Sequence, residues 1–347
     1  MSAKTKSEAL AKLKALRAAG DAGLPIAPGN LTVSALLTDW FAKGLSSRRL
    51  QEQSIATHRW AVSVLSEELG TRRVRSLSPE QVEAALERRS AAGLSRASLA
   101  KLRTTLGMAL SWAERRGQVA RNVARVAELP ASARPAAPGR SMTAKQARAF
   151  LAAAEESPHG ALWTTMLYLG LRPGEAAALA WDDVDLPHRV VHVRRALKRS
   201  EAGRISVGPT KTAQSVRSLD APPVVVDHLR RRRHEQRKQR LAAGSLWSSP
   251  DDLIFTTGVG SPLDPTRLRA AFTSVAQAAG IGHGWSPNSL RHTAASLMSD
   301  AGVPLERIAD QLGHRDTRMA SLHYRHRVRP TIAAATVLTD LLRQASK

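Results

Sequence analysis

WSPNSLRHTAASLMSDAGVPLERIADQLGHRDTRMASLHYRH, residues 285–326, is the most informative segment of the chain. It carries Arg291, His314 and Tyr324 in that order, on what read as short helices separated by Gly302 and Gly313. Tyrosine is scarce in this chain: there are two, and the other is Tyr168. Tyr324 sits beside His323, Arg325 and His326, a basic setting that suits a nucleophile attacking a negatively charged group. The plainer reading is a surface tyrosine on a basic helix.

Working outward, the chain has 347 residues, enough for two domains that each bury a core. Hydrophobic residues make up 43% and charged residues 23%, which is ordinary globular composition. The balance of charge is unusual: 52 Lys and Arg against 29 Asp and Glu give +23. That excess points to a polyanionic partner, first of all nucleic acid, although an Arg- and Ala-rich composition also follows from a GC-rich genome. The absence of cysteine excludes disulfides, thiolate catalysis and Cys-based zinc sites. No apolar run approaches the ~18–20 residues of a membrane span, and the basic N-terminus lacks the continuous apolar core of a secretory signal. The expectation is a cytoplasmic protein with no membrane partner.

Residues 5–19 read as one helix, broken by Gly20, Gly23, Pro25, Pro28 and Gly29. A single helix of that length cannot hold itself together in water, so residues 1–30 read as a helix that docks on something or as the remnant of a larger N-terminal module. From 31 to 129 the pattern is helical throughout. Val33, Leu36, Leu37, Trp40 and Phe41 stripe a first helix, and Ile55, Trp60 (or Arg59), Val62 and Leu65 a second. Ser78-Pro79-Glu80-Gln81 is a capping box that opens a third. Leu99, Leu102, Leu106, Leu110 and Ala113 stripe a fourth. This predicts an all-α bundle with basic outer faces.

Residues 130–141, with Pro130, Pro135, Pro138 and Gly139, read as an extended linker. About a dozen residues at ~3.3–3.6 Å each span roughly 40 Å. Thr143-Ala144-Lys145-Gln146 is a second capping box and opens a domain over 142–330. Helices over 144–156 and 161–171 precede strands at 190–193, 204–207 and 216–219, after which helices resume at Val224. The fold class is therefore mainly α with a small antiparallel β-sheet: an α+β domain behind an all-α bundle. Arg230 to Arg233 read as a solvated helix face or a phosphate contact, and 331–347 as an amphipathic helix that packs on its own domain or a neighbouring subunit.

Several chemistries can be set aside. The chain has no P-loop, no GxGxxG after a strand and no Gly-x-Ser-x-Gly elbow. Asp182, Asp183 and Asp185 read as a turn rather than a divalent-metal nuclease, since no second carboxylate cluster backs them. His323 and His326 are flanked by Arg325 and Arg327, which repel a cation. What remains is phosphate chemistry without a cofactor or metal. Paired arginines stabilise the charge on non-bridging oxygens. Arg172 stands at a helix start with Pro173 at the first helical position, where free N–H groups favour anions, and Glu175 one turn on is placed to orient its guanidinium. Arg291 is the second candidate. A phenol has a pKa near ~10, and neighbouring cations favour the phenolate.

Four segments carry a specific resemblance: GLRPGEAAALAWDDVDL (170–186), PTKTAQSVRSL (209–219), LRHTAASLMSDAGVPLERIADQLGH (290–314) and MASLHYRH (319–326). In order and spacing they resemble the tyrosine recombinase, or phage integrase, family. The bundle at 31–129 resembles that family's core-binding (SAM-like) domain, and 142–330 its catalytic domain. The resemblance implies that Arg172 and Arg291 clamp a scissile DNA phosphate and that Tyr324 attacks it to leave a 3′-phosphotyrosine. Lys211 would protonate the 5′-oxygen leaving group, and His314 would hydrogen-bond the phosphate or the nucleophile. It further implies double-stranded DNA carrying attachment or core sites as partner, a C-shaped clamp closed around it, and a homotetramer exchanging strands through a Holliday junction. Accessory DNA-bending or excisionase proteins, a nucleoid-associated location, a phage or other mobile element as context, and independence of ATP and metal follow in the same way.

Two departures stand out. The family pattern is His-x-x-Arg, whereas this chain has Asn288-Ser289-Leu290-Arg291, and Asn keeps a donor but cannot move a proton. Family members also commonly begin with a small sheet and a helix that bind arm-type sites, of which residues 1–30 resemble only the helix. The alternatives are a catalytically impaired DNA-binding relative and a type IB topoisomerase. The retained Arg172, Lys211, Arg291, His314 and Tyr324 speak against the first, and the linker with the LGH…YRH ending against the second.

Overall fold

The computed structural model describes residues 10, 30–45, 50, 52–134, 139–200, 203–210 and 215–313. Apart from Leu10, the expected N-terminal helix lies outside these residues, as does the helix expected at 331–347. The chain divides into two compact units, Met1–Ala137 and Pro138–Lys347.

The first unit packs α1 (Val33–Asp39), α2 (Glu52–Leu69), α3 (Pro79–Ala91) and α4 (Arg96–Glu114) around one apolar core. Thr32 caps α1, its side chain accepting from the Ala35 N–H. The helix then widens into a π turn, Trp40–Leu45. There a Cβ on Gly44 would lie 2.6 Å from Trp40 and 2.8 Å from Trp112, so the two indoles close over a position only glycine fits. The capping box of α3 is present in both directions, Gln81 N–H to Ser78 Oγ at 3.4 Å and Ser78 N–H to Gln81 Oε1 at 3.3 Å. The stripe on α4 is buried as its spacing predicts. On α2 the buried line is Ala61, Leu65 and Leu69, and Trp60 is 39% exposed. At 100° per residue Trp60 falls beside that line rather than on it, so its size misled the reading of the sequence.

The first part of the expected linker packs on this unit. Ala133 is buried, and Arg96 donates through its guanidinium to the Pro130 carbonyl (3.0 Å) and through its backbone N–H to that of Arg134 (3.1 Å). At the other end Met142 is buried in the second unit and donates to Thr293 Oγ1 at 2.9 Å.

The second unit is built on α6 (Gly160–Leu169), preceded by α5 (Ala144–Glu155). Nearly every side of α6 is buried, so it reads as apolar all round rather than as a stripe. Phe150 of α5 and Phe272 of α9 (Pro265–Ala278) meet with ring centroids 4.9 Å apart, and Trp163 of α6 stands edge-on to Phe272 at 5.4 Å. After α6 come α7 (Pro173–Ala177), the strands, α8 (Pro223–Ala243), then α9, α10 (Pro287–Asp300) and α11 (Leu305–Leu312).

The strands form two small antiparallel sheets, where a single sheet was expected. One has the order β1 (Val184–Asp185), β2 (Val190–Val193), β5 (Arg217–Asp220), with Val191 opposite Leu219. The other is a hairpin of β3 (Arg195–Arg199) and β4 (Ile205–Pro209), with Leu197 opposite Val207. Strand β4 therefore pairs with β3 and not with β2. The sequence RALKR of β3 hides its strand character because no residue of it is fully buried and charge dominates the alternation. Among the described residues no helix is long and apolar enough to cross a membrane.

Phe272→Ala is expected to lower the stability of the second unit by about 3–5 kcal/mol, read as a shift in denaturant midpoint at unchanged slope. A loss below about 1 kcal/mol would show that the aromatic cluster does not hold α5, α6 and α9 together.

Candidate active site

The site grows from the turn that follows α6. Gly170 ends that helix in the left-handed conformation (φ 64°, ψ 30°), its N–H bonded back to the Met166 carbonyl. A Cβ there would also lie 2.5 Å from Leu312 Cδ2 and 3.7 Å from the Ala294 Cβ. Gly170 is thus required twice, by its backbone angle and by the close approach of α10 and α11. Arg172 follows in extended conformation, as the residue before proline prefers, and Pro173 starts α7.

Glu175 lies at the centre of the site and is 3% exposed. Its Oε1 accepts from Arg172 Nη1 at 2.5 Å, and its Oε2 from the Arg172 backbone N–H at 3.1 Å and from Arg217 Nη2 at 3.0 Å. Burial alone would raise its pKa; the Arg217 guanidinium, followed by that of Arg172, outweighs it and holds the carboxyl below its ordinary range. The Arg172 N–H, expected from the sequence to be open to an anion, is therefore committed to Glu175. The guanidinium of Arg172 remains 40% exposed, and its Nη2 donates to the Gly313 carbonyl at 3.3 Å.

Arg291, on α10, is 7% exposed and donates through Nη1 to the Gly170 carbonyl at 2.9 Å. The turn 170–172 thus brings Arg172, Glu175 and Arg291 together, and Arg172 reaches Gly313, the residue before His314, at the end of α11. Asn288 occupies the first turn of α10, exposed, one helical turn ahead of Arg291. Lys211, His314 and Tyr324 lie outside the described residues.

One member of the cluster was not singled out in the sequence. Arg217 is 8% exposed on β5 and bonds the Gln311 carbonyl through Nε (2.8 Å) and the Ser215 carbonyl through Nη1 (3.0 Å), besides Glu175. Its signal was the period-2 spacing to buried Leu219, which puts both on the inner face of the strand. The acidic run, by contrast, is structural. Asp183 is fully buried, accepts from the Ala180 N–H and pairs with Arg194 and Arg195, and Asp182 pairs with Arg195. Arg232 is likewise internal, donating to the Ile254 carbonyl at 2.9 Å.

A carboxylate whose folded pKa is depressed contributes stability that is complete above the ordinary carboxylate range and is lost as pH falls through the lowered value. Glu175→Gln is therefore expected to cost about 3–5 kcal/mol at neutral pH, with the gap to wild type closing on acidification below about pH 4. Parallel stability curves down to acid pH would show that Glu175 is not the ionised centre of the cluster.

Residues 140–329 match the model of the phage integrase family. An integrase of Streptomyces ambofaciens is 37% identical over 352 aligned positions, which cover 98% of this chain and 87% of that protein. A tyrosine recombinase XerC-like protein of Caldanaerobacter subterraneus subsp. tengcongensis is 29% identical over 193 residues, 52% of this chain and 49% of its own length. Among solved structures, the Tn1549 transposon integrase in complex with a circular intermediate DNA superposes with a TM-score of 0.74 at 18% identity, covering 90% of this chain and 99% of that one. A lambda integrase tetramer bound to a Holliday junction gives 0.64 at 18% identity, covering 95% and 91%. At that identity the two structures establish a shared fold. The family match together with the Streptomyces relative establishes more: this chain belongs to the phage integrase family of tyrosine recombinases, enzymes that cut and rejoin DNA.

Proposed function

We propose that the chain recombines double-stranded DNA at specific sites, with Arg172 and Arg291 as the phosphate clamp and Tyr324 as the nucleophile. The observation that carries this is that Arg291 of α10 bonds the Gly170–Arg172 turn from which Arg172 projects, next to the end of α11 that leads in sequence to His314. Tyr324 Oη attacks the scissile phosphorus, the bond to the 5′-oxygen breaks, and Lys211 gives that oxygen a proton. The product is a 3′-phosphotyrosine and a free 5′-hydroxyl. A 5′-hydroxyl from a second strand reverses the step, so the number of phosphoester bonds is conserved and no ATP is needed. The two guanidiniums supply the stabilisation that a metal ion gives in other phosphoryl transfers, and His314 adds a hydrogen bond to the phosphate or the phenol.

On this reading residues 31–129 form the core-binding domain and 142–330 the catalytic domain. The mobile element integrated is of phage type or similar. The lambda integrase tetramer on a Holliday junction supports a homotetramer as the working assembly, with accessory DNA-bending or excisionase proteins as further partners.

The test is a nicked suicide duplex whose core sequence is selected from a randomised library by covalent capture, incubated in EDTA and resolved on a denaturing gel. Wild type is expected to form a covalent adduct and Tyr324→Phe none, while Arg172→Ala and Arg291→Ala each slow adduct formation by ~10²-fold or more. No captured sequence at all would favour the catalytically impaired relative. An adduct that persists in Tyr324→Phe would assign the nucleophile elsewhere.

Asn288 supplies a second prediction. Asn288→His restores a group able to move a proton one turn ahead of Arg291 and is expected to raise the cleavage rate, by at most ~10²–10⁴-fold. A rate equal to or below wild type would show that a hydrogen-bond donor is all this position contributes.

A further inference from the structure

Arg172 faces a difficulty that its own contacts expose. A guanidinium that is 40% exposed has to be immobile to clamp a phosphate, yet its immediate partner is a carboxylate that competes for the same charge. The geometry resolves both problems through one residue. We infer that Arg217 is a positioning residue for the phosphate clamp, acting on Arg172 through Glu175 and through the end of α11. The inference rests on the reading of Arg172 as a clamp arginine.

Among the described residues, both side-chain contacts of Arg172 lead back to Arg217. Its Nη1 is held by Glu175 Oε1, and the other oxygen of that carboxylate is held by Arg217 Nη2 at 3.0 Å. Its Nη2 donates to the Gly313 carbonyl, and Gly313 is fixed in the left-handed conformation (φ 63°) at the end of α11. Arg217 Nε bonds the Gln311 carbonyl in the last turn of that helix at 2.8 Å, where carbonyls lack intrahelical partners. A Cβ on Gly313 would lie 3.1 Å from Arg217 Nη1, so the guanidinium is in near contact with the glycine itself. The third contact, Nη1 to the Ser215 carbonyl at 3.0 Å, anchors the chain four residues after Lys211.

Charge makes the same point. Two guanidiniums around one carboxylate leave a net positive charge for a phosphate to meet. Without Arg217 the buried carboxylate pairs with Arg172 alone, and of the clamp only Arg291 still offers the phosphate a charge that Glu175 does not offset. The fork matters as much as the charge, because three nitrogens reach three different acceptors in one plane, which an ammonium cannot reproduce. The competing account is a buried ion pair that only stabilises the fold. The two differ in what they do to the reaction: a stabilising pair leaves the enzyme's discrimination between charged and uncharged phosphates untouched.

The experiment compares adduct formation on two nicked suicide duplexes of the captured core sequence, one with the natural scissile phosphodiester and one with a methylphosphonate there. Replacing a non-bridging oxygen by methyl removes the negative charge the clamp neutralises. Wild type is expected to prefer the phosphodiester, and Arg172→Ala to lose most of that preference. Arg217→Lys is expected to reduce it by about tenfold or more at unchanged affinity for the intact duplex, and Arg217→Ala to reduce it further. Should Arg217→Ala unfold at the assay temperature, Arg217→Lys, checked by thermal melting, decides the matter alone. An Arg217→Lys enzyme that is folded and slows on both substrates equally, or not at all, overturns the inference. If wild type and Arg172→Ala show the same preference, the clamp reading of Arg172 fails and the inference falls with it.

Discussion

A carboxylate buried to 3% exposure is tolerable only where its charge is matched, and at Glu175 the match comes from guanidiniums on two distant parts of the chain. That constraint orders much of the second unit. It fixes where α7 begins, because Glu175 takes the backbone N–H of Arg172 as well as its side chain. It fixes where β5 lies, because Arg217 has to reach the same oxygen. It also fixes how α11 ends, because the remaining arms of Arg172 and Arg217 bond the carbonyls of Gly313 and Gln311. Desolvation makes each of these contacts more demanding than it would be in water.

Arginine is used throughout the chain in this internal way, which changes how its charge should be read. Arg96 and Arg103 bond the Pro130 and Ala127 carbonyls in the first unit, and Arg232 that of Ile254 in the second. Each closes a loop onto a helix, a task suited to a planar group with five donors. The excess of +23 is thus shared between surface potential and internal scaffolding. Composition pointed correctly to a polyanionic partner, but within the run Arg230–Arg233 the four side chains divide, Arg232 bonding inward while Arg230, Arg231 and Arg233 stay exposed.

The sequence carried most of the fold where burial follows one period. The α4 stripe and both capping boxes have local causes, and local causes are readable. It carried less where partners are distant. The β3–β4 hairpin has no fully buried residue on either strand, so no buried face marks its pairing; a Cβ on Gly174 would come within 3.3 Å of the Leu197 carbonyl. Trp60 shows the opposite failure, a large apolar residue placed in the core by size when helical phase puts it outside. In the site, Arg172, Glu175 and Arg291 were legible because motif spacing and helix-start chemistry mark them. Arg217 was not: its period-2 spacing to Leu219 puts it on the inner face of the strand, but only the folded position of Glu175 explains a guanidinium there. Lys211, His314 and Tyr324 rest on family resemblance.

Gly170 has one further consequence, in time rather than space. The turn it makes is complete only when Arg291 bonds its carbonyl and Leu312 packs within reach of its α-carbon. Those residues lie more than a hundred positions downstream, so during synthesis the ribosome releases Arg172 long before the elements that hold it. Nascent chains therefore carry Arg172 in an unfinished setting until α10 and α11 have been made, and the Arg172–Glu175–Arg217 cluster closes only then.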